Sequence, residues 1–469
     1  MEEPRVSVGI MSDTTIRLEL NGWYLSRGTY MSGVITRERV ANGPQEVSIT
    51  AGGRMAWDGK EWEQLCFIPL KEEEVDFVLK EVTIGVDFHW QRKEDQRFKG
   101  ALELIIEQDK LTAVNHVLVE DYLTSVISSE MSASASEELL KAHAVISRSW
   151  LLANMKCIEC NHPELKAHPE RHRCTLPPTP GEGEERIRWF ERDAHTRYDV
   201  CADDHCQRYQ GITRASREAV RKAIEATRGQ VLTSEGRICD ARFSKCCGGA
   251  FEEFATCWDN IRYPYLRKRY DLLDGHGKAP VLPDLSQEEE ADRWIRTAPE
   301  AFCNTRDHSI LSQVLNSYDQ ETTDFYRWHV EYTQEELRDL IFKRSGVDYG
   351  AIIDLVPLAR GTSGRLWKLK IVGTKQSCII GKELEIRRTL SASHLYSSAF
   401  VVDKEGLQEV EPNAAGVSQV PARFILTGAG WGHGVGLCQI GAAVMGARGY
   451  DYRTILAHYF EEAQLTPLY

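Results

Sequence analysis

The first 115 residues alternate between apolar and polar side chains in short runs. The alternation is clearest over residues 6–10, 15–20 and 82–88, and Gly and Asn residues separate the runs. A period of two is typical of β-strands that bury one face. The pattern therefore predicts a β-rich N-terminal region that closes with a hairpin over residues 100–115.

A helical periodicity takes over after this hairpin. The sequence predicts a short helix that ends at Glu130 and a longer helix that begins near Ser134, because Ser134 and Glu137 have the spacing of a capping box. The apolar positions of the longer helix recur three or four residues apart, at Leu139, Leu140, Ala142, Ile146, Trp150 and Leu151. We expect this stripe to be buried in a core.

The rest of the chain mixes helices, strands and irregular segments. Residues 155–187 are rich in Cys, His, Pro and Gly and are predicted to leave the main fold. Helices are predicted over residues 216–228 and 452–460. The overall prediction is an α+β fold with three parts: a β-rich region at 1–115, a mixed helix and strand core at 116–269 and 346–469, and a helical insertion or small subdomain at 270–345.

Composition narrows the classes of partner. The 469 residues carry a net charge of -13, with 42% hydrophobic and 27% charged residues. This acidic balance argues against nucleic acid or an anionic membrane surface as the main partner. No run of about 18 apolar residues predicts a membrane span. Residues 1–5 do not resemble a secretory signal, so we expect a chain that is cytoplasmic or already trimmed.

Glu130 is the strongest candidate for chemistry in the sequence. It follows Val126, Ile127, Ser128 and Ser129, which are apolar or small and uncharged. Such a setting is expected to raise the pKa of a carboxyl group towards neutrality. A carboxyl group that is protonated near pH 7 can act as a general acid. The alternative is an exposed glutamate at a helix end.

Residues 195–206 form a candidate metal site. Four side chains of the types that bind Zn²⁺ occur within these twelve residues: His195, Cys201, His205 and Cys206. Reduced cysteines with surface histidines are the alternative. A second group, Cys157, Cys160, His172 and Cys174, also has metal-like spacing. It is either a zinc knuckle or a chance occurrence in a cysteine-rich chain.

The block at residues 428–441 is rich in glycine, with glycines at 430, 432, 434 and 436. It lacks the Gly-Lys-Ser/Thr ending of a phosphate-binding loop. Glycines at these positions allow a close backbone approach around Trp431 and His433. The indole could stack on a sugar ring while Gln439 offers hydrogen bonds. A tight structural crossover explains the same glycines equally well.

Four separated blocks resemble one known family. Residues 120–150, 243–249, 263–266 and 430–442 are similar, in order, to the stage II sporulation protein D family of peptidoglycan lytic transglycosylases and amidase enhancers. The resemblance implies cleavage of cell-wall glycan strands without water, which leaves 1,6-anhydro-N-acetylmuramic acid ends. It also implies that the core is catalytic.

The resemblance assigns roles to particular residues. Glu130 matches the glutamate of the family's Glu-Met pair and would be the general acid and base. The candidate substrate-binding residues are Ser244, Gly248, Gly249, Trp431, His433 and Gln439. Some family members carry zinc near the cleft, which implies Zn²⁺ at His195, Cys201 and Cys206 with His205 as the fourth ligand. Three cysteines depart from the family pattern: Cys246 and Cys247 replace small hydroxyl residues, and Cys438 replaces a common serine.

The expected partners are peptidoglycan glycan strands and a cell-wall amidase. Two alternatives to a transglycosylase stay open at this point. One is a non-catalytic, wall-binding enhancer of an N-acetylmuramoyl-L-alanine amidase, a role known in the same family. The other is a cysteine or zinc hydrolase of peptides that uses residues 195–206.

Overall fold

A computed structural model gives the fold of the protein. It describes residues 2–30, 35–72, 74–84, 92–132, 134–155, 185–189, 195–203, 206–213, 218–314, 322–412 and 416–469. The chain divides into two compact units. Unit 1 comprises Met1–Ala167, Arg192–Asp240 and Leu465–Tyr469, and unit 2 comprises His168–Glu191 and Ala241–Gln464.

Strands and helices are both abundant in the described part of the chain, and the fold is α+β as predicted. The strands are β1 (Arg5–Asp13), β2 (Thr15–Tyr30), β3 (Ile35–Ile49), β4 (Met55–Trp57), β5 (Lys60–Trp62), β6 (Gln64–Pro69), β7 (Asp76–Ile84), β8 (Arg92–Phe98), β9 (Ala101–Glu107), β10 (Lys110–Leu118), β11 (Glu185–Ile187), β12 (Val200–Cys201), β13 (Gln230–Ser234), β14 (Arg237–Ile238), β15 (Phe243–Ser244), β16 (Arg327–Thr333), β17 (Ile352–Arg360), β18 (Leu366–Gly373), β19 (Ser377–Gly381), β20 (Phe400–Glu409), β21 (Gln419–Ala429), β22 (Leu437–Cys438) and β23 (Gln464–Pro467). The α-helices are α1 (Val119–Glu130), α2 (Glu137–Asn154), α3 (Glu218–Ala226), α4 (Phe254–Cys257), α5 (Glu288–Thr297), α6 (His308–Val314), α7 (Gln334–Ser345), α8 (Glu383–Thr389), α9 (Gln439–Ala447) and α10 (Tyr452–Tyr459).

The large sheet of unit 1 is built from the alternating segments. Its strands lie in the order β12–β1–β10–β9–β6–β2–β3–β4–β5, and β7 pairs with β2 and β8. In β1, Val6 and Val8 are buried, whereas Ser7 between them is partly exposed. The strands β9 and β10 form the predicted hairpin, and Gln108 and Asp109 take the left-handed conformation that its two-residue turn requires. The β-rich N-terminal region is therefore confirmed.

Two helices of unit 1, α1 and α3, pack against α2. The helix α1 follows β10 directly and ends at Glu130, as predicted, while α2 contacts α1, α3 and β13. The predicted start of α2 was wrong by two to three residues. Ser136, not Ser134, is its N-cap, and the Ser136 hydroxyl accepts a hydrogen bond from the Leu139 amide. The helix predicted at 216–228 is found as α3, which ends at Ala226, and residues 216 and 217 are outside the described residues.

A buried ion pair links the first turn of α1 to the middle of α2. Arg148 donates to both carboxylate oxygens of Glu120, with Nε–Oε1 at 2.9 Å and Nη2–Oε2 at 2.6 Å. The Arg148 side chain is 0% exposed and that of Glu120 is 8% exposed. Arg148 Nη1 also donates to the Gln230 carbonyl, and Tyr469 Oη donates to Glu120 Oε1 at 2.6 Å. The pair therefore fixes two helices, the start of β13 and residue 469 at one point.

Unit 2 contains several small sheets. One has the strand order β11–β19–β18–β17 and another the order β16–β21–β20, while β15 pairs with β22. Its main core cluster includes Trp328, Ile371, Phe400 and Phe424, all buried. Residues 270–345 contain α5, α6 and α7, as the helical pattern predicted. They also contain β16, which pairs with β21 and which the pattern did not reveal. The predicted three-part domain division stays a prediction.

None of the described helices has both the length and the apolar character that crossing a bilayer would require.

The buried ion pair leads to a prediction about stability. Replacing Arg148 with Met leaves the Glu120 carboxylate buried without its cation, and we expect the free energy of unfolding to fall by about 3–5 kcal/mol. Urea unfolding followed by circular dichroism measures this loss. The matched control is Arg221→Met, which removes an exposed pair with Glu218 on α3 and should cause no measurable loss. Equal losses in the two variants would contradict the role given to the pair.

Candidate functional site

Glu130 is the last residue of α1. The helix ends there because Met131 turns to an extended conformation, with its amide still bonded to the Ile127 carbonyl at 2.9 Å. The residues before it, Val126 to Ser129, are buried, and Glu130 itself is half-buried. The placement of this carboxyl group at a helix end is therefore as predicted, while its chemical role stays a prediction.

Tyr122 is a buried aromatic residue of α1, the helix that ends at Glu130. Its ring is fully buried and stacks on Tyr209 with ring centroids 5.0 Å apart, and its hydroxyl donates to Gln207 Oε1 at 3.2 Å. Burial raises the pKa of Tyr122 well above its usual value, and the negative charges of Cys206, Cys201 and Glu130 add to the effect. The hydroxyl bond therefore ties α1 to Gln207, the residue after Cys206.

Three of the predicted metal ligands come together in unit 1. The ligand atoms of His195, Cys201 and Cys206 all lie within 4.8 Å of one another, and the three residues are half-buried. Cys201 lies in β12 beside β1, and its amide donates to Cys206 Sγ at 3.5 Å. One imidazole nitrogen and two thiols are a donor set that fits Zn²⁺.

The remaining predicted metal ligands are outside the described residues. These are His205, and the second group of Cys157, Cys160, His172 and Cys174. The described cluster therefore supplies three ligands of the predicted four.

The segment that follows Cys206 is bonded to α1, α2 and β10. Gln207 Nε2 donates to the Ser147 carbonyl at 3.5 Å, the Gln210 amide donates to Ser125 Oγ at 3.0 Å, and Tyr209 Oη donates to Asn115 Oδ1 at 2.7 Å. These bonds hold the residues that follow the candidate ligand Cys206 against the helix that carries Glu130. Sequence reasoning missed Tyr122 and Gln207, although Tyr122 stands within the Asp-Tyr-Leu motif.

In unit 2, the glycine-rich block lies against the segment that begins at Ser244. Cys246 and Trp431 exchange two backbone hydrogen bonds of 2.8 and 3.0 Å, and β15 pairs with β22. The Trp431 ring is half-buried, with ring centroids 4.7 Å from Phe325 and 4.5 Å from Tyr396. The structure therefore brings Ser244, Gly248 and Trp431 into one region, with the indole held between two aromatic rings.

The Ser244 hydroxyl and Gln439 are both buried in this region. The Ser244 Oγ makes no hydrogen bond within the described part of the chain. Gly432 has a φ of 91°, and a Cβ atom there would lie 3.1 Å from the Ser244 Cβ. Gln439 is the first residue of α9. The glycine at 432 is thus needed for both its conformation and its close approach to Ser244.

His433 is held as a neutral imidazole. Its Nδ1 accepts a hydrogen bond from the Val435 amide at 3.0 Å, which places the proton of the neutral ring on Nε2. Loss of solvation lowers the pKa of His433 well below its usual value, and the positive charges of Arg242, Arg365 and Arg387 lower it further. The ring of Trp258 meets it edge-on at 4.9 Å. His433 can therefore donate a hydrogen bond without carrying charge.

Arg365 organises the backbone of this region, and sequence reasoning missed it. Its fully buried guanidinium donates to the carbonyls of Gly432 and Cys247, both at 3.1 Å, and to Ser363 Oγ at 2.8 Å. Gly434 has a φ of 74°, and a Cβ atom there would lie 2.5 Å from the Arg365 Cζ. No local motif marks Arg365, because the two carbonyls that it bonds, those of Cys247 and Gly432, lie far away in the sequence.

An open groove of about 600 Å³ lies beside the Tyr263-Pro264-Tyr265-Leu266 block of unit 2. Its lining is partly apolar, with Phe254, Tyr263 and Leu266, and partly basic, with Arg262, Arg267 and Lys268. Glu253 and Glu461 complete it with two acidic groups. The sequence block marked this place, and the basic residues directly flank it in the chain, but the groove that they line appears only in the fold.

Two family models match the chain. Residues 107–234 match the model described as Stage II sporulation protein. The chain contains a segment of the stage II sporulation protein D family. This segment holds Glu130, Tyr122 and the His195, Cys201 and Cys206 cluster. Residues 252–436 match a domain of unknown function, DUF8618, so the family segment is shorter than the reach of the four sequence blocks.

Two relatives are similar to this chain, one over 77% of its length and the other over 52%. An uncharacterised protein of Brachyspira hyodysenteriae is 23% identical over 363 residues, which cover 77% of this chain and 70% of that protein. A Bacillus subtilis protein named amidase enhancer is 24% identical over 258 residues, which cover 52% of this chain and 32% of that protein. The chain therefore matches about a third of the length of the amidase enhancer.

The close approach at Gly434 leads to a prediction. Gly434→Ala should destabilise the protein more than Gly449→Ala, by about 1–3 kcal/mol, because only the first change forces atoms into a packed guanidinium. Gly449 is the matched control: its φ of 87° carries a similar left-handed penalty, but nothing lies within 4 Å of an added Cβ. Urea unfolding measures both losses, and equal values would show that Arg365 does not restrict this position.

The neutral state of His433 predicts a pH dependence of stability. Unfolded histidine takes up a proton below about pH 6.5, whereas folded His433 resists protonation, so this residue makes the free energy of unfolding fall as the pH drops from 7 to 5. The contribution approaches about 1.4 kcal/mol per pH unit for one proton. Urea unfolding at pH 7, 6 and 5 should show a shallower slope for His433→Gln. His276→Gln, at an exposed loop position of the same unit, is the control, and an unchanged slope for His433→Gln would contradict the assignment.

Proposed function

We propose that the protein acts on the peptidoglycan of bacterial cell walls and cleaves its glycan strands as a lytic transglycosylase. The family segment at residues 107–234 and the relative named amidase enhancer support a role at the cell wall. The observation that carries the enzymatic proposal is the position of Glu130, half-buried at the end of α1, the helix to which the segment after Cys206 is hydrogen-bonded.

In this proposal Glu130 is both acid and base. It first donates its proton to the glycosidic oxygen while the bond from that oxygen to C1 of N-acetylmuramic acid breaks. The C6 hydroxyl of the same sugar then bonds to C1, and its proton passes to Glu130. The 1,6-anhydro ring forms, the leaving sugar keeps the first proton, and the carboxyl group regains its starting state. Since no water molecule has to be activated, one carboxyl group suffices.

The other site residues bind and orient in this proposal. His195, Cys201 and Cys206 would hold a zinc ion, with His205 as the fourth ligand, and the ion would supply a structural link or polarisation of a bound oxygen. In unit 2, the candidate sugar-binding residues are Ser244, Gly248, Gly249, Trp431, His433 and Gln439. The basic groove at Arg262, Arg267 and Lys268 has the charge to bind the carboxylates of stem peptides.

The second candidate function is non-catalytic stimulation of a cell-wall amidase. The relative named amidase enhancer favours this function, because its similarity extends over half of this chain. In this case the cell-wall amidase is a protein partner, and Glu130 has no chemical role. The two functions predict different results when the Glu130 carboxyl group is removed: the transglycosylase loses its activity, and the enhancer keeps its stimulation of the amidase.

The test uses Glu130→Gln, which keeps the shape of the side chain but removes its proton chemistry. We expect purified glycan strands, with and without stem peptides, to yield anhydro-ended fragments with the natural protein. We expect a loss of at least about 100-fold with the variant, the size usual for removal of a general acid. Mass spectrometry of the fragments detects the anhydro ends.

The matched control is Glu137→Gln, at an exposed position in the first turn of α2, which should keep full activity. Anhydro-ended products at the natural rate from Glu130→Gln would contradict the transglycosylase. A protein that makes no such products, but stimulates an amidase equally well with either residue at 130, would be the enhancer.

A further inference from the structure

A second set of metal-binding side chains lies in unit 2. It consists of Cys247, Asp271, Cys303 and Cys438, all of them buried, with ligand atoms that lie within 4.8 Å of one another. Cys247 Sγ is 3.5 Å from Cys303 Sγ and 3.3 Å from Asp271 Oδ2. These four residues are called the buried cluster below. They share no residue with the candidate site of unit 1.

The spacing within the buried cluster fits a single tetrahedral ion. Two sulfur atoms bound to zinc at about 2.3 Å lie about 3.8 Å apart at the tetrahedral angle, and a sulfur and a carboxylate oxygen lie about 3.6 Å apart. The two measured separations are within about 0.3 Å of these values. Metal binding would therefore need only a small expansion of the cluster.

The carboxylate of Asp271 is oriented towards the thiols. Its Oδ1 accepts a hydrogen bond from Tyr459 Oη at 2.9 Å and lies 3.3 Å from His458 Nε2. Its Oδ2 faces Cys247 Sγ and accepts from the Cys303 amide at 3.2 Å. An arrangement in which one oxygen is fixed by outer partners and the other faces the cluster is typical of a metal-binding carboxylate.

Cys438 is oriented by backbone amides. It is the N-cap of α9, and its Sγ accepts hydrogen bonds from the Cys247 amide at 3.2 Å and the Gly441 amide at 3.4 Å. Amide donors and a helix N-terminus favour a negatively charged sulfur. A buried carboxylate beside such a sulfur is costly unless a cation balances the charge.

We propose that Cys247, Asp271, Cys303 and Cys438 bind one zinc ion in a closed structural site. Three thiolates select zinc and other soft metals over magnesium or calcium, and four protein ligands leave no open position for substrate. Binding releases the thiol protons, so the bound form carries deprotonated sulfurs. This inference does not depend on the transglycosylase proposal.

The ion would join segments that carry candidate sugar-binding residues. Cys247 lies between Ser244 and Gly248, and Cys438 directly precedes Gln439. Cys247 and Cys438 are also two of the three cysteines that depart from the family pattern. A shared metal site gives these departures one common physical reason.

The test measures zinc in the full-length chain, produced with Zn²⁺ and dialysed under reducing conditions against metal-free buffer. In Cys201→Ser/Cys206→Ser, which lacks the two thiols of the unit 1 site, we expect elemental mass spectrometry to find zinc, one equivalent of which the buried cluster holds. Adding Asp271→Asn or Cys438→Ser should remove that equivalent. Adding Cys257→Ser, at a buried cysteine of the same unit outside the cluster, should leave it in place.

Cobalt provides a second readout. Reconstitution of the Cys201→Ser/Cys206→Ser chain with Co²⁺ should give a thiolate-to-metal charge-transfer band, which Cys438→Ser weakens. If the double variant does not fold, the zinc content of the single variant Cys438→Ser tests the proposal. It must be one equivalent lower than that of the natural chain. A folded double variant that holds neither metal would overturn the proposal, and so would a Cys247–Cys303 disulfide with two hydrogens fewer by mass.

Discussion

The ion pair between Glu120 and Arg148 is the interaction on which the architecture of unit 1 depends. Both groups are withdrawn from water, and each of their charges has its partner only in the folded state. The pair joins α1 to α2, and further hydrogen bonds to the pair add Gly229, Gln230 and Tyr469. The helix α1 begins at this ion pair and ends at Glu130. The pair therefore helps to fix the position of the candidate acid, because it holds the first turn of the same helix.

The sequence predicted those strands and helices that a residue pattern within the element itself specifies. Alternation over residues 100–115 predicted β9 and β10, and apolar spacing predicted α2, because both patterns repeat within one element. The cap of α2 was placed at Ser134 because Ser134, like Ser136, has a suitable hydroxyl, and only the backbone conformation decides between them. The strand β16 was missed because its stability comes from β21, about 90 residues later in the chain.

In the candidate site too, the sequence predicted residues that are close together in the chain and missed those whose partners are distant. His195, Cys201 and Cys206 are close in sequence and were predicted together as metal ligands, and Glu130 was predicted as the acid from its motif. The roles of Tyr122 and Arg365 depend on partners that are distant in sequence, such as Gln207 for the phenol and Gly432 for the guanidinium. The buried cluster draws on residues from 247 to 438, so its two departures from the family pattern had no visible common cause before the fold was known.

The hydrogen bond from Tyr469 to Glu120 has a consequence for biosynthesis. Residues 465–469 belong to unit 1, yet the ribosome makes them only after the whole of unit 2. While residues 241–464 are being translated, the strand β13 lacks its neighbour β23. The carboxylate of Glu120 also lacks the hydrogen bond from Tyr469 during this time. Unit 1 can therefore gain the strand β23 and the Tyr469 hydrogen bond only after unit 2 has been translated, whereas unit 2 can complete its fold without waiting for them.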